Sequence, residues 1–330
     1  MKLSAKSPVL WPLLGLAALT LLNVVFNPAF LKIALLDGHL YGVPIDILTQ
    51  GSRTMLVALG MTLVIATGGI DLSVGSVVAI SGATCAMLLK AGTGLPLTLA
   101  AAVLTGLFAG SANGLLVARL GVQPIVATLI LMVAGRGVAQ LIVDGQVIII
   151  ASRPFEFLAN GFLLGLPVAP LLVAALYAAT HLLLRRSALG LFVEAVGDNE
   201  TASRFAGLAA ARIKGLAYVF CGGCAALAGV LAAANIHAAD AYRAGENMEL
   251  DAIFAVVVGG TALSGGRFLI LGTAAGALLI QTLTTTMYNL GVPPAVAPVP
   301  KAVLIIAVSL LQSGRTTRWL RGLFGPKGGA

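Results

Sequence analysis

Long hydrophobic segments separated by short polar stretches run through almost the whole chain. Most are close to the roughly 20 residues that a helix needs to cross a bilayer, so the pattern predicts about ten transmembrane helices. The predicted spans are 8–26, 54–69, 72–89, 95–118, 122–142, 163–184, 215–238, 252–264, 268–288 and 300–312. Segments 252–264 and 300–312 are too short for straight spans, so they either begin earlier or form half-helices. The predicted fold class is an all-α polytopic bundle with broken or half helices.

Composition supports a membrane protein. Of 330 residues, 59% are hydrophobic and 10% charged, and the mean hydropathy is +1.02. Soluble domains are about one quarter charged, and a water-soluble globule of this composition would expose large apolar patches. The net charge of +8 does not indicate nucleic-acid binding, because the basic residues lie between and beside apolar segments.

The distribution of Lys and Arg predicts the topology. Ten spans place both termini on one side, and most basic residues fall on that side, which is therefore predicted to be cytoplasmic. The first segment is expected to remain as a span, because no small-residue cleavage site follows it. The chain is predicted to form one transmembrane domain. Its parts are six spans in 8–184, a cytoplasmic loop over 185–214, four spans in 215–312 and a basic cytoplasmic tail over 313–330.

Two glycine pairs predict breaks in the helices. Gly68-Gly69 is followed by Ile-Asp-Leu-Ser-Val-Gly, and Gly259-Gly260 is followed by Thr-Ala-Leu-Ser-Gly-Gly. Paired glycines release the backbone from helical geometry, which a membrane tolerates only beside protein or a watery cavity. Five of the eight aligned positions agree, which suggests two related halves. The ten-span count places both copies on the cytoplasmic side, as in a parallel repeat, whereas an inverted repeat requires opposite sides.

Polar side chains within the spans are candidates for a substrate path. Asp71 is expected to cap the next helix near Ser73, or to contact a solute at the break. Arg136 lies in mid-span and should face the interior, a cavity or a carboxylate such as Asp71. Each such group can instead join helix to helix. The candidates are Asp71, Ser73, Asn113, Arg136, Gln140, Gln281 and Asn289. Gly106, Gly110 and Gly114 predict close helix packing.

The loop over 185–214 and the absence of several motifs reduce the number of function classes that fit the sequence. Asp198 or Asn199 is a predicted helix cap, and the amphipathic helix that follows either lies on lipid headgroups or docks a cytoplasmic partner. The sequence has no phosphate-binding loop, no nucleophile beside a base and no metal-ligand cluster. It therefore predicts no enzyme activity, metal or cofactor, and assigns any ATP hydrolysis to another chain.

Four motifs, taken in order, resemble those of the ribose-type sugar permeases of bacterial ABC importers. They are Ala66-Thr-Gly-Gly-Ile-Asp-Leu-Ser-Val-Gly75, Gln123-Pro-Ile-Val-Ala-Thr-Leu129, Glu194-Ala-Val-Gly-Asp-Asn199 and Glu249-Leu-Asp-Ala-Ile253 leading to Gly259-Gly260. Within that family, segments 36–48 and 132–140 are similar to the galactofuranose importer permeases. The resemblance covers roughly residues 35–310.

The resemblance implies an inner-membrane permease that moves a galactofuranose- or ribose-like monosaccharide by alternating access. It further implies a second permease, a periplasmic sugar-binding protein and a cytoplasmic ATPase that grips the loop. The coupling residues it implies are Glu194, Ala195, Gly197, Asp198, Asn199 and Gly207. Two positions depart from the family pattern: Phe205 replaces a usually smaller residue, and the second glycine motif has no acid matching Asp71.

Three alternatives remain open on the sequence. An ion-coupled secondary transporter is also a basic, polytopic chain with broken helices, but it would work without an ATPase. An intramembrane enzyme would need converging catalytic groups, which the scattered polar residues do not form. A permease of the same family could carry another small polar solute.

Overall fold

A computed structural model describes residues 10–293, 296–303 and 306, and it is almost wholly helical. Most of the last predicted span, 300–312, and the whole basic tail, 313–330, lie outside the described residues. The helices are α1 (Leu10–Phe26), α2 (Val43–Ala66), α3 (Val74–Lys90), α4 (Leu95–Gly114), α5 (Pro124–Ile142), α6 (Arg153–Asn160), α7 (Val168–Arg186), α8 (Leu189–Asp198), α9 (Glu200–Phe205), α10 (Ala210–Ile236), α11 (Met248–Val258) and α12 (Ile270–Asn289). A π-helical turn, Leu115–Arg119, extends α4.

Six helices of the described chain are long and apolar enough to cross a membrane: α2, α4 with its π-helical turn, α5, α7, α10 and α12. Two further apolar helices, α1 and α3, are shorter. These helices confirm a multi-pass membrane protein, while the count of ten spans stays a prediction. Helix α11 has 11 residues and is only about 16 Å long, so this segment is a half-helix.

Three short antiparallel strand pairs lie at one end of the bundle. They join β1 (Ala34–Leu36) to β2 (His39–Tyr41), β3 (Ile148–Ile149) to β6 (Ala238–Ala239), and β4 (Phe162–Leu163) to β5 (Leu166–Pro167). In register, Leu35 faces Leu40, and Ile148 faces Ala239. We call this end the hairpin face. The opposite end, which carries α8 and α9, is called the loop face.

Helix α10 is the centre of the bundle and packs against α2, α3 and α4. Its contact with α4 is made backbone to backbone, because a Cβ added at Gly106 or Gly110 would overlap a carbonyl oxygen of α10. Gly114 also lies against α10, where an added Cβ would be 3.0 Å from the Gly215 carbonyl oxygen. The close helix packing predicted from the four-residue glycine spacing is therefore confirmed. Tyr218 and Cys221 lie fully buried at this centre.

The second apolar segment differs from its prediction. Helix α2 begins at Val43 rather than near residue 54, because Pro44 fits the first turn and the polar residues after it continue the helix. Asp46 and Arg53, which precede the predicted span 54–69, therefore lie within this helix. The sequence pattern missed the start because apolar residues are sparse over its first turns.

Both predicted breaks are present, and they lie together near the loop face. Gly68 (φ 78°) follows the end of α2 by two residues, and Gly260 (φ 94°) follows the end of α11 by two residues. At each break, the glycine N–H donates to the carbonyl oxygen three residues earlier. The N–H of the following residue donates to the carbonyl oxygen five residues earlier than itself. Gly68 therefore matches Gly260, and the sequence alignment of Gly68 with Gly259 is one residue out of register. Because the two breaks touch and both preceding helices run toward the loop face, they have a parallel arrangement.

Candidate functional site

A polar cavity of about 710 Å³ lies within the bundle, toward the hairpin face. Its walls come from α2, α3, α10, α11 and α12, together with residues 238–247 and 297–302. This volume is in the range of about 300–1,000 Å³ typical of small-molecule sites. The main polar side chains within the walls are Gln50, Arg53, Asp251, Gln281 and Lys301. Two other cavities, of about 620 and 440 Å³, have almost entirely apolar linings and suit lipid better than a polar solute.

Arg53 and Gln281 place hydrogen-bond donors on two adjacent walls. Arg53 lies on α2 and donates to the Gln50 side chain one turn earlier. Gln281 lies on α12 and packs against α2 at Gly51, where an added Cβ would be 3.3 Å from the Gln281 side chain. Among the described residues no carboxylate forms an ion pair with Arg53. Within the part of the chain that the structure describes, the hydrogen bond found for its guanidinium is the one to Gln50.

An ion pair in the cavity wall joins α11 to the helical segment over 298–303. The Lys301 Nζ donates to both carboxylate oxygens of Asp251, at 2.9 and 2.7 Å. Both side chains are largely buried, with 13% and 19% of their surfaces exposed. Asp251 belongs to the sequence motif over 249–253, and the structure gives it a cation partner inside the bundle.

Asp71 and its neighbours form a buried cluster at the first break, away from the cavity wall. Asp71 Oδ1 accepts from the Ser73 amide at 2.9 Å and from the Ser73 hydroxyl at 2.6 Å. The Asn113 amide donates to Ser73 Oγ at 2.9 Å and to Asp71 Oδ1 at 3.3 Å. Asp71 thus stabilises the turn that leads into α3, whose N-cap is Ser73 and has no side-chain cap hydrogen bond. Asn113 thereby joins α4 to the start of α3.

Arg136 does not pair with Asp71. Its guanidinium, in the middle of α5, donates to the carbonyl oxygens of Ala241 and Ala244. Those carbonyls belong to the turn over 240–247, whose Gly245 packs directly on Gly75 of α3. The cation therefore satisfies backbone acceptors of a non-helical segment that enters the bundle from the hairpin face.

The substrate-path candidates thus fall into different places. Gln281 alone among the seven lines the polar cavity, while Asp71, Ser73 and Asn113 form the cluster at the break. Asn289 is an exposed residue at the end of α12. Sequence reasoning missed Gln50, Arg53 and Lys301 as cavity residues, because the first two precede the predicted span 54–69 and Lys301 lies at the start of the predicted span 300–312. The signal available was Arg53 one helical turn after Gln50.

Helices α8 and α9 form a consecutive pair on the loop face, and we call this pair the bracket. Asn199 is the cap of α9, since its Oδ1 accepts from the Ala202 amide at 2.9 Å, which confirms one of the two predicted caps. Glu200 pairs with Arg204 and with Lys214 at the start of α10. Hydrogen bonding to Lys214 lowers the pKa of Glu200 below its usual value. This bracket is thereby attached to the central helix.

The two faces of the bracket differ. Val193 and Val196 are buried beneath α8, and Gly197 lies against the two breaks. Leu191 and Phe205 are 67% and 89% exposed. The remaining predicted coupling residues lie along α8 and α9: Glu194 and Ala195 half-buried, and Asp198, Asn199 and Gly207 exposed. Gly207 (φ 85°) ends α9 in a left-handed turn.

No group of three or more His, Cys, Asp and Glu side chains able to hold a metal ion is found in the part of the chain that the structure describes. The three cysteines are buried, and their thiols are free.

Comparison with known proteins identifies the family. A family model described as branched-chain amino acid transport system / permease component matches residues 43–309. The chain is 48% identical to the galactofuranose transporter permease protein YtfT of Escherichia coli K12, over 95% of this chain and 93% of that one. It is 38% identical to the fructose import permease protein FruF of Bifidobacterium longum, covering 93% and 88% of the two chains.

A ribose import permease protein, RbsC of Bacillus subtilis, is 36% identical, with 92% of each chain covered. No solved structure matches the chain. The family match spans most of the bundle described above, including both breaks and the loop-face bracket. The resemblance inferred from the four motifs is therefore confirmed, and the chain belongs to the branched-chain amino acid transport system / permease component family, as a permease component of an ABC sugar importer.

Proposed function

We propose that this chain passes a monosaccharide, galactofuranose or a similar sugar, across the inner membrane through the cavity lined by Arg53 and Gln281. The observation that carries the proposal is this cavity, with its hydrogen-bond donors, inside a permease of a sugar-importer family. The relatives named above carry galactofuranose, fructose and ribose, which are all small and rich in hydroxyl groups. Guanidinium and amide N–H groups bind hydroxyl oxygens, and amide oxygens accept hydroxyl protons.

The importer family supports two kinds of partner, an ATPase and a substrate-binding protein. In this proposal the ATPase binds the bracket of α8 and α9, where Leu191 and Phe205 offer apolar side chains to a partner. The sugar-binding protein delivers its load at the hairpin face, toward which the cavity lies. A second permease completes the transmembrane unit. Movement of the ATPases rocks the bundle, so that the cavity opens to each side in turn.

Reconstitution tests the proposal. The full chain is purified from its native membranes with its copurifying proteins and placed in vesicles, and uptake of labelled galactose, fructose and ribose is measured. Uptake should require ATP on the loop-face side together with the binding protein. The chain purified alone should move no sugar uphill. Uphill movement by the chain alone under a proton or sodium gradient would support a secondary transporter and overturn the proposal.

A matched pair of variants tests the cavity itself. Gln281→Ala removes a hydrogen-bonding side chain from the cavity wall, and Asn289→Ala removes a shorter one from the exposed end of the same helix. Loss of one neutral hydrogen bond should raise the half-saturating sugar concentration roughly fivefold for Gln281→Ala only. Equal half-saturating sugar concentrations for the two variants would show that the sugar does not pass along this wall.

A further inference from the structure

Three segments of backbone meet near the loop face without any side chain between them. They are the end of α2 at Ala66, the turn before α12 at Gly265 and Gly266, and the end of α8 at Gly197. The Gly266 amide donates to the Ala66 carbonyl at 2.9 Å, which ties the second break to the first. A Cβ added at Gly197 would overlap both Ala66 O and the Gly266 amide nitrogen.

Gly265 repeats the close approach from the other side. A Cβ there would lie 2.7 Å from the Gly197 carbonyl oxygen and 3.0 Å from the Gly68 amide nitrogen. Contacts of this kind are possible only for glycine, and they leave no flexible side chains between the segments. Because packed backbone deforms little, a displacement of α8 must shift both breaks or separate the contact.

Each break leads to a helix that lines the cavity. The first continues through the turn that the Asp71–Ser73 hydrogen bond stabilises into α3, which provides Val78 and Gly82 to the wall. The second continues into α12, which provides Gln281. The position of α8 is therefore connected, through one contact, to two walls of the cavity.

We propose that Gly197 is the positioning residue through which the loop-face bracket moves both breaks together during transport. The proposal rests on the proposed function and changes the role of this residue. Gly197 had been grouped with residues that grip the ATPase, but it faces the membrane bundle, while the exposed side chains of Leu191 and Phe205 face outward. Coupling then has two surfaces, an outer one that binds the ATPase and an inner one, at Gly197, that passes the motion on.

The first test compares Gly197→Ala with Gly215→Ala in the complete importer. An added Cβ at Gly215 meets nothing within 4 Å, so this variant controls for the glycine-to-alanine change close to the same loop. Gly197→Ala should keep its ATPase on purification and keep basal ATP hydrolysis. Stimulation of hydrolysis by sugar-loaded binding protein, and sugar uptake, should both fall about tenfold or more. Gly215→Ala should leave both unchanged.

Loss of ATPase binding in Gly197→Ala would overturn the proposal, because it would place Gly197 on the docking surface. Unchanged stimulation would overturn it too. An importer whose unaltered form neither hydrolyses ATP nor imports sugar would instead refute the proposed function, so the two failures are distinguishable.

A second measurement needs no substitution and covers the case in which Gly197→Ala does not fold. Hydrogen exchange is followed by mass spectrometry in the unaltered importer, with and without a non-hydrolysable ATP analogue. Peptides over 64–70 and over 259–268 should change exchange together when the nucleotide binds, while a peptide over 143–147 on the hairpin face serves as the reference. A change in hydrogen exchange at one break without the other, or at neither break, would overturn the proposal that Gly197 moves both breaks together.

Discussion

The ion pair between Lys301 and Asp251 offers a sharp test of the cavity architecture. It fastens the helical segment over 298–303 to the half-helix α11, and both carboxylate oxygens receive the ammonium group. Replacing Lys301 with Met keeps most of the side-chain length and removes the charge. Asp251 would then remain as an uncompensated anion in the wall of a membrane-embedded cavity.

The magnitude follows from the burial of the pair. A fully exposed ion pair contributes less than about 1 kcal/mol to the free energy of unfolding, whereas removing one partner of a fully buried pair lowers it by about 3–5 kcal/mol. With 13% and 19% of the two side chains exposed, and a cavity that admits water, we expect about 2–3 kcal/mol for Lys301→Met. For a chain of 330 residues this corresponds to a fall of about 3–4 °C in the melting temperature.

The assay is thermal unfolding of the purified importer in detergent. Asp251→Asn should lower the melting temperature as Lys301→Met does, and the exchanged pair Asp251→Lys with Lys301→Asp should recover at least half of the loss. Lys90→Met, at the exposed end of α3, is the control and should change little. A Lys301→Met variant within about 1 °C of the parent would refute the assignment of a buried pair. So would an exchanged pair no more stable than either single variant.

Two further predictions concern packing and the loop face. Gly110→Ala should destabilise the bundle by about 1–3 kcal/mol, because the added Cβ overlaps the Tyr218 carbonyl oxygen. Gly137→Ala, which meets nothing within 4 Å, should be neutral or stabilising, and equal melting temperatures for the two would contradict the close contact of α4 and α10. The lowered pKa of Glu200 means that its pairing with Lys214 stabilises the fold above the pKa of the unfolded carboxyl, and that this stability is lost as the pH falls through the folded pKa. Melting curves of Glu200→Gln and the parent should therefore differ at pH 7 and converge as the carboxyl is protonated, and a constant difference would rule out an ionised pair.

Local signals predicted the breaks correctly, but not their register. A glycine pair marks where a helix can end, and both pairs do end one. Either glycine of a pair can adopt the left-handed conformation, so the sequence could not say that Gly68 corresponds to Gly260 rather than Gly259. That choice depends on which backbone amide meets the carbonyls of the preceding turn, a property of the folded helix end.

The chain's sequence by itself determined the class of molecule. The apolar segments and the scarcity of charge require a membrane bundle, the glycine spacing on α4 requires a close neighbour, and four motifs in order indicate the sugar-permease family. These signals are local in sequence, so they can be recognised without knowing how the chain folds.

Only the tertiary structure decided which polar residues line the cavity. Arg53, Gln281 and Lys301 lie far apart along the chain and line one cavity, whereas the more conspicuous Asp71 and Arg136 satisfy the backbone and side chains of their own surroundings. The physical reason is that a polar group in lipid must find a partner, and the sequence does not show whether that partner is a neighbouring helix or a cavity. The same holds for Gly197, whose inward contact with two distant breaks depends on how α8 folds back onto the bundle.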